Sequence, residues 1–277
     1  MEERAFLIDC GEGTQVQLRK AKARFSKINH IFISHLHGDH CFGLPGLIAS
    51  FRLLGRDMPL HVYGPKGIKK MMETIFTLTE THRGFEVIYH ELESKDSEKI
   101  YEDNRVEVFT IPLDHRIYCN GYLFREKPKE RHLNIEEVSK YPEIETCDYQ
   151  NLKNGKDYIL ADGYVLKNEI LTKDPSKSVS YAFCSDTRYL ETVIPIIENV
   201  DVLYHEATFL HELKEMADYT GHTTALEAAQ IAKKANVGKL ILGHFSNRYH
   251  DYTVFTDEAR AIFPNTFLPN ALEPVKI

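Results

Sequence analysis

Ile31-Phe32-Ile33-Ser34-His35-Leu36-His37-Gly38-Asp39-His40 is the stretch on which the reading of this chain turns. An apolar run leads directly into six residues that hold three imidazoles and one carboxylate. A strand ending in a polar turn gathers such side chains around one point. Imidazole nitrogen and carboxylate oxygen bind a zinc-like dication at about 2.0–2.2 Å. One ion cannot comfortably use all four groups at this spacing. Two ions can, if His35 and His37 take the first while Asp39 and His40 take the second. A loop that merely happens to be rich in histidine is the competing reading, and the rest of the chain argues against it.

Working outward, short apolar runs read as strands at Ala5–Asp9, Ile31–Ser34, Leu60–Tyr63, Val106–Leu113, Tyr181–Ser185, Val202–Tyr204 and Lys239–Leu242. Between them, apolar residues at helical spacing predict helices over Thr14–Lys22, Leu44–Leu54, Gly67–Leu78, Leu190–Ile197, Thr224–Ala235 and Thr256–Ile262. Strands alternating with helices predict an α/β layered fold. From about Arg125 to Ser178 the chain is instead polar, charged and irregular. That is too long for an ordinary connection in a compact domain, so it is either an extended functional arm or a partly disordered insert.

Metal-type residues recur at the predicted strand ends. His115 follows Leu113, Asp186 follows Ser185, His205 and Glu206 follow Tyr204, and His244 follows Leu242-Gly243. Loops after strands, held over a rigid sheet, are where sites are usually built. Taken singly, His115 and His244 read as surface or capping histidines, and Asp186 as the cap of a following helix. Taken with the hexad, His35, His37, His115 and Asp186 complete one ion. Asp39, His40, Asp186 and His244 complete a second, with Asp186 bridging. Two ions about 3.5–4 Å apart can activate water and clamp both oxygens of an in-line displacement. His30, His61, His82, His90, His132, His211 and His250 read as surface or satisfied structural groups.

Composition bounds the rest. The chain has 277 residues, 43% of them hydrophobic, which suffices for a core. Its formal net charge of -7 gives no general attraction for nucleic acid. Fourteen histidines are many for this length and need a role. Five cysteines, odd in number and scattered, read as reduced thiols of a cytoplasmic protein. Met1-Glu2-Glu3-Arg4 opens no signal peptide, and no apolar run is long enough to span a membrane.

The hexad, His115, Asp186 and His244 resemble the metal-site pattern of the metallo-β-lactamase fold. Further stretches resemble one branch of it, ribonuclease Z, the tRNA 3′-processing endonuclease. They are Asp9-Cys10-Gly11-Glu12-Gly13-Thr14-Gln15, His205-Glu206-Ala207-Thr208-Phe209, Gly221-His222-Thr223-Thr224, and His244-Phe245-Ser246 followed by Arg248-Tyr249. The resemblance covers nearly the whole chain. It implies a four-layer αββα sandwich forming a single domain over residues 1–277, with an inserted arm at 125–178 that binds tRNA. It also implies a first strand and a glycine-bearing loop ahead of Asp9 that are absent here. In the family the arm often carries a Gly-Pro-rich tip. The matching stretch here reads Tyr141-Pro142-Glu143-Ile144-Glu145-Thr146-Cys147, while Leu152–Lys156 and Ala161–Gly163 keep the look of the arm's base.

What the resemblance implies for chemistry is a hydrolase using two Zn²⁺ per chain. It would cleave precursor tRNA after the discriminator nucleotide, remove the 3′ trailer and leave a 3′-hydroxyl. Asp39 would orient the attacking water and accept its proton. His222 is the candidate donor to the departing 3′ oxygen, and Glu206 would pair with His222 and aim it. The competing reading of His222 is a neighbour of the N-cap of the next helix. His205 reads as structural support, and Arg248 as a phosphate contact or a surface ion pair. Phosphate contacts dominate nucleic-acid affinity. Beyond the arm, the basic candidates are Arg19, Lys20, Lys22 and Arg24, then Lys66, Lys69 and Lys70. A homodimer is expected, with the arm reaching tRNA on the other subunit. The alternative function is a small-molecule metallo-hydrolase of the same fold, a phosphodiesterase, thioesterase or lactonase. A non-enzymatic RNA-binding protein with a relic site is opposed by the presence of every expected ligand.

Overall fold

A computed structural model describes residues 5–82, 84–270 and 272–275; the charged tetrapeptide Met1–Arg4, read above for targeting, lies outside them. The chain divides into two compact units. One comprises Met1–Tyr101, Val108–Phe124 and Ser180–Ile277, and the other Glu102–Glu107 with Arg125–Val179.

In the first unit, apolar runs become parallel strands joined by helical crossovers. Strands β1 (Ala5–Ile8), β2 (Ile28–Phe32), β3 (Leu60–Pro65) and β4 (Val87–Leu92) form a sheet in that order, every pair parallel. Helix α1 (Thr14–Lys20), the single turn α2 (Gly38–Cys41), α3 (Leu44–Leu53) and α4 (Ile68–Leu78) lie between them in the chain. Strand β2 begins earlier than its apolar run suggests, but Ile33 N still donates to Tyr63 O at 2.8 Å, so pairing continues to the edge of the hexad. Strands β5 (Lys99–Glu102), β6 (Val106–Leu113) and β7 (Cys119–Glu126) follow.

The second unit is small and has its own core. It contains β8 (His132–Leu133), α5 (Ile135–Val138), α6 (Tyr149–Lys153), β9 (Tyr158–Ile159), β10 (Val165–Leu166), α7 (Asn168–Leu171) and β11 (Thr172–Lys173). Strands β8 and β11 pair, as do β9 and β10, both antiparallel. Val138, Ile144, Leu152, Leu166 and Leu171 are buried together, with Leu133, Tyr141, Tyr149, Tyr158 and Leu160 packed against them. The buried amide of Asn168 donates to Leu152 O and Lys156 O at 2.8 and 2.9 Å. The Glu102–Glu107 turn belongs here because Lys127 N donates to Arg105 O at 2.7 Å and the Lys127 ammonium pairs with Glu102.

Back in the first unit come β12 (Ser180–Cys184), β13 (Val202–Glu206), α8 (Lys214–Thr220), α9 (Ala225–Lys234), β14 (Lys239–Gly243), α10 (Thr253–Arg260) and β15 (Thr266–Phe267). They complete a seven-stranded sheet of order β15-β14-β13-β12-β7-β6-β5, parallel from β12 to β15. The helix expected over Leu190–Ile197 is only a 3-10 turn at Glu191–Val193. Pro195 has no amide to donate, so an α-helical ladder cannot run through it.

The two sheets meet through an aromatic layer. Phe6 lies 5.3 Å from Phe124, Phe32 lies 5.2 Å from Tyr122, and the buried Tyr122 hydroxyl donates to Ile33 O at 2.6 Å. Outside the first sheet, Leu47, Ile48, Phe51 and Met72 of α3 and α4 pack with Ile31 and Val62. Outside the second, Ala228, Ala229, Ile231 and Ala232 of α9 pack with Leu203, Leu240 and Leu242. Small alanines let α9 sit close on the sheet. The layers run helix, sheet, sheet, helix. Because the neighbouring strands are parallel, β1 and β2 end at one edge of their sheet, and β12, β13 and β14 at one edge of theirs. No helix among the described residues is long and apolar enough to cross a membrane.

Candidate metal centre

Asp9 follows β1 with its backbone in the left-handed region, φ 56°. The turn it opens packs backbone against backbone on α2. A Cβ on Gly11 would lie 1.9 Å from Asp39 O, and one on Gly43 would lie 2.0 Å from Gly11 O. Cys10 N donates to His40 O at 2.7 Å, and Gly43 N to Cys10 O at 2.9 Å. This close seat brings Asp9 Oδ2 to 2.8 Å from His40 Nδ1, while Asp9 Oδ1 accepts from Ser34 N at 2.7 Å.

The histidine orientations follow from what holds their other nitrogens. Ser34 Oγ donates to Asp9 Oδ2 at 2.9 Å, which leaves its oxygen to accept from His35 Nδ1 at 3.0 Å. His115 Nδ1 donates to Gly221 O at 2.8 Å. Thr208 Oγ1 donates to Glu206 Oε2 at 2.8 Å and accepts from His244 Nδ1 at 3.0 Å. His35, His40, His115 and His244 therefore all turn Nε2 inward, and His37 turns Nδ1 inward. His37 Nδ1 lies 2.9 Å from His35 Nε2 and 3.3 Å from His115 Nε2. Ligand nitrogens on one tetrahedral ion at about 2.0–2.1 Å stand ~3.4 Å apart.

Asp186 sits between two groups of imidazoles. Its Oδ2 faces His35 Nε2 at 3.7 Å and His115 Nε2 at 3.9 Å. Its Oδ1 faces His40 Nε2 at 3.5 Å and His244 Nε2 at 3.3 Å. Asp39 Oδ2 closes the second group, 3.4 Å from His40 Nε2 and 3.7 Å from His244 Nε2. The structure thus brings together His35, His37, His115 and Asp186 as one candidate ligand set, and Asp39, His40 and His244 as another beside the same Asp186. His244, like Asp9, has a positive φ, 60°. Such strain, of order 1–3 kcal/mol per residue, collects at functional sites.

The electrostatics of the protein without ions divides along the same line. Burial drives His35 down to about 3 and lowers His115, so both are neutral with a lone pair to offer. Burial also pulls on His40 and His244, but carboxylates overcome it. Asp9, Asp186 and Asp39 raise His40, and Asp39, Asp186 and Glu206 bring His244 up to about 9. Asp39 is held below the usual carboxylate range, chiefly by His244 3.7 Å away and against the effect of burial. Burial works to raise Asp186, but His244, His40 and His35 together lower it.

The donor set fits divalent cations. The buried His40 Nε2 has no hydrogen-bond partner, and an inward nitrogen of this kind is satisfied by a cation. Five imidazole nitrogens and two carboxylates crowd one hollow in an arrangement that hydrogen bonds alone do not complete.

Beside the ligands lies a second device. Glu206 is fully buried and accepts from His222 Nδ1 at 2.9 Å, Thr187 N and Thr223 N at 3.1 Å, and Thr208 N at 2.9 Å. Its many donors fix the carboxylate, which holds His222 by Nδ1 and leaves Nε2 free of it, and His222 stands with Asp186 and His244 in a cluster whose ligand atoms lie within 4.8 Å of one another. The His222 ring stacks on His244 with centroids 5.3 Å apart. Thr224 and Glu227 form a capping box at the start of α9, which anchors the chain just after His222. His205 is buried, with Nδ1 donating to Glu206 O at 2.7 Å. Arg248 is exposed, and among the described residues its guanidinium makes no ion pair or hydrogen bond. Of the surface lysines read as phosphate contacts, Lys66 pairs with Glu93 at 2.9 Å. Asp9, Ser34, Thr208 and the Gly221 carbonyl had no assigned role from the sequence. The position of Asp9 at the end of β1, opening a glycine turn, was the available signal.

Comparison with known proteins follows the same lines. A family model described as Anti-Pycsar protein Apyc1 matches residues 1–115. Ribonuclease Z of Bacteroides thetaiotaomicron is 46% identical over 268 residues, spanning 97% of this chain and 84% of that protein. The crystal structure of human tRNase Z, short form, superposes with a TM-score of 0.65 at 26% identity, covering 88% of this chain and 83% of that one. The metallo-β-lactamase fold protein YhfI of Bacillus subtilis gives a TM-score of 0.65 at 18% identity, covering 97% and 85%, and shares the fold.

Proposed function

The chain belongs to the ribonuclease Z family, and from that premise we propose that it is a metal-dependent endoribonuclease that cuts precursor tRNA after the discriminator nucleotide, removing the 3′ trailer and leaving a 3′-hydroxyl. The observation that carries this reading is Asp186, with each carboxylate oxygen facing a different set of inward imidazole nitrogens.

His35, His37, His115 and Asp186 would hold one ion, and Asp39, His40, Asp186 and His244 the other, with zinc the best match to this nitrogen-rich set. When bound, the ions lower the pKa of water and neutralise charge on the phosphodiester. Asp39 orients the attacking water toward phosphorus and accepts its proton. The bond to the discriminator's 3′ oxygen breaks as the new P–O bond forms. His222 Nε2 delivers a proton to that oxygen, and Glu206, hydrogen-bonded to Nδ1, keeps the ring oriented. Arg248, without a side-chain partner among the described residues and four residues from His244, is assigned to a substrate phosphate.

Residues 125–178 are assigned to tRNA docking, and the functional protein is proposed to be a cytoplasmic homodimer; the five free thiols, four of them buried, accord with a reducing compartment. The test is incubation of the zinc-loaded protein with a precursor tRNA carrying a 3′ trailer, beside a panel of small thioesters, lactones and phosphodiesters. The expected product is tRNA ending at the discriminator with a 3′-hydroxyl, and a trailer with a 5′-phosphate. Turnover of a small ester with no tRNA cleavage overturns the reading.

A further inference from the structure

The segment that supports the ligand His115 also displays an aromatic ring to solvent. Gly221 O accepts from His115 Nδ1 at 2.8 Å, and His222 follows it. Two residues before Gly221, at the end of α8, the side chain of Tyr219 is 81% exposed. The backbone on either side of it is gripped by arginines. Arg116 Nε donates to Thr220 O at 3.1 Å, and Arg188 Nε donates to Asp218 O at 3.0 Å.

The two arginines differ in what remains to them. Arg188 Nη1 is engaged by Asp114 Oδ1 at 3.3 Å. Arg116 spends only Nε on the carbonyl, and among the described residues it makes no ion pair. Asp114, two residues before it, pairs with Arg188 at 3.3 Å, and Asp218 lies 3.5 Å from Lys214. In a chain of net charge -7, an exposed guanidinium with its outer edge unspent, one residue from a ligand histidine, is a local exception. The exposed Tyr219 lies between the two carbonyls that Arg116 and Arg188 hold, next in the chain to the one that Arg116 binds. Ring and guanidinium together match one nucleotide of a single strand: the ring offers a face to a base, and the guanidinium offers donors to a phosphate.

We propose that Tyr219 and Arg116 form a subsite for the unpaired nucleotide beside the scissile phosphate, with the base stacked on Tyr219 and its phosphate held by Arg116. The inference rests on the endoribonuclease reading and adds the residues that set the strand at the cut.

The experiment uses full-length, metal-loaded protein and precursor tRNAs with a single abasic nucleotide placed in turn on each side of the cut. Removing a stacking ring typically costs tenfold or more per base. Tyr219→Ala should therefore raise KM for precursor tRNA about tenfold, with a smaller change in kcat, and Tyr219→Trp should restore it. At one abasic position the wild type should lose about as much as Tyr219→Ala does, and the two losses should not add. Arg116→Ala should lower the salt dependence of binding by about one phosphate contact, with metal content measured to separate this from loosening of Gly221 and His115. Additive losses at every position, or equal losses for Tyr219→Ala and Tyr219→Trp, overturn the subsite. Failure of the wild type to cut any precursor tRNA overturns the endoribonuclease reading instead.

Discussion

Asp9 and His40 stand thirty-one residues apart in the chain and 2.8 Å apart in space, Oδ2 against Nδ1. The contact fixes the His40 tautomer that leaves Nε2 for an ion, and it ties the first glycine turn to the metal hollow. Outer-sphere carboxylates of this kind typically contribute 10–100-fold to metal affinity. Asp9→Ala should weaken binding of one of the two zinc equivalents by about that factor, seen as earlier loss to a competing chelator. Unchanged retention of both equivalents would show that the contact is only structural.

His222 is predicted to act as a proton donor, and the nature of the leaving group tests this. His222→Ala should slow cleavage of precursor tRNA by about 10²–10⁴-fold, the usual contribution of a positioned acid. A diester that expels p-nitrophenolate does not need that proton. Its hydrolysis should fall far less. Equal losses on both substrates would remove His222 from the donor role.

Loading the sites should displace protons. In the ion-free protein His244 holds its proton up to about pH 9. Its folded pKa is raised, so its contribution to stability is present below the unfolded value of about 6.5 and is lost as pH rises through about 9. A metal ion must take the nitrogen that carries the proton. Calorimetric titration of zinc near pH 7.5, in buffers of different ionisation heats, should show two equivalents bound and at least one proton released. Release should vanish near pH 10. Proton-neutral binding at pH 7.5 would contradict the assignment of His244.

The second unit supplies none of the proposed ligands, so its removal separates docking from chemistry. Replacing residues 125–178 with a short Gly-Ser linker should reduce precursor-tRNA cleavage mainly through KM, because contacts remote from the reacting phosphate are lost. The effect on a small phosphodiester should be far smaller. If tRNA cleavage survives intact, docking resides elsewhere, with the Arg19–Arg24 and Lys66–Lys70 clusters next to be tested.

The clustering of the candidate ligands was legible because they follow strands in chain order, four of them within one hexad. The groups that orient those ligands were not. Ser34, Thr208 and the Gly221 carbonyl each act through one contact made only on folding, and a hydroxyl or carbonyl carries no mark of that in sequence. Strand β7 was missed for a related reason. Its Cys119-Asn120-Gly121 start was not among the apolar runs read as strands, and Gly121 is there because a Cβ would lie 2.3 Å from Phe183 O on the neighbouring strand. The over-read helix at Leu190–Ile197 had the right apolar spacing, but Pro195 interrupts its ladder.

The division of ligands between the sheets has a thermodynamic consequence. His35, His37, Asp39 and His40 follow β2 of one sheet, while His115, Asp186 and His244 follow β6, β12 and β14 of the other. No ion can be held by both groups until the sheets have stacked, so ion-binding free energy becomes folding free energy. With ions held by the proposed ligands, the centre would act as a clasp between the two halves of the sandwich, and the concentration of the bound metal would set the protein's lifetime as well as its turnover.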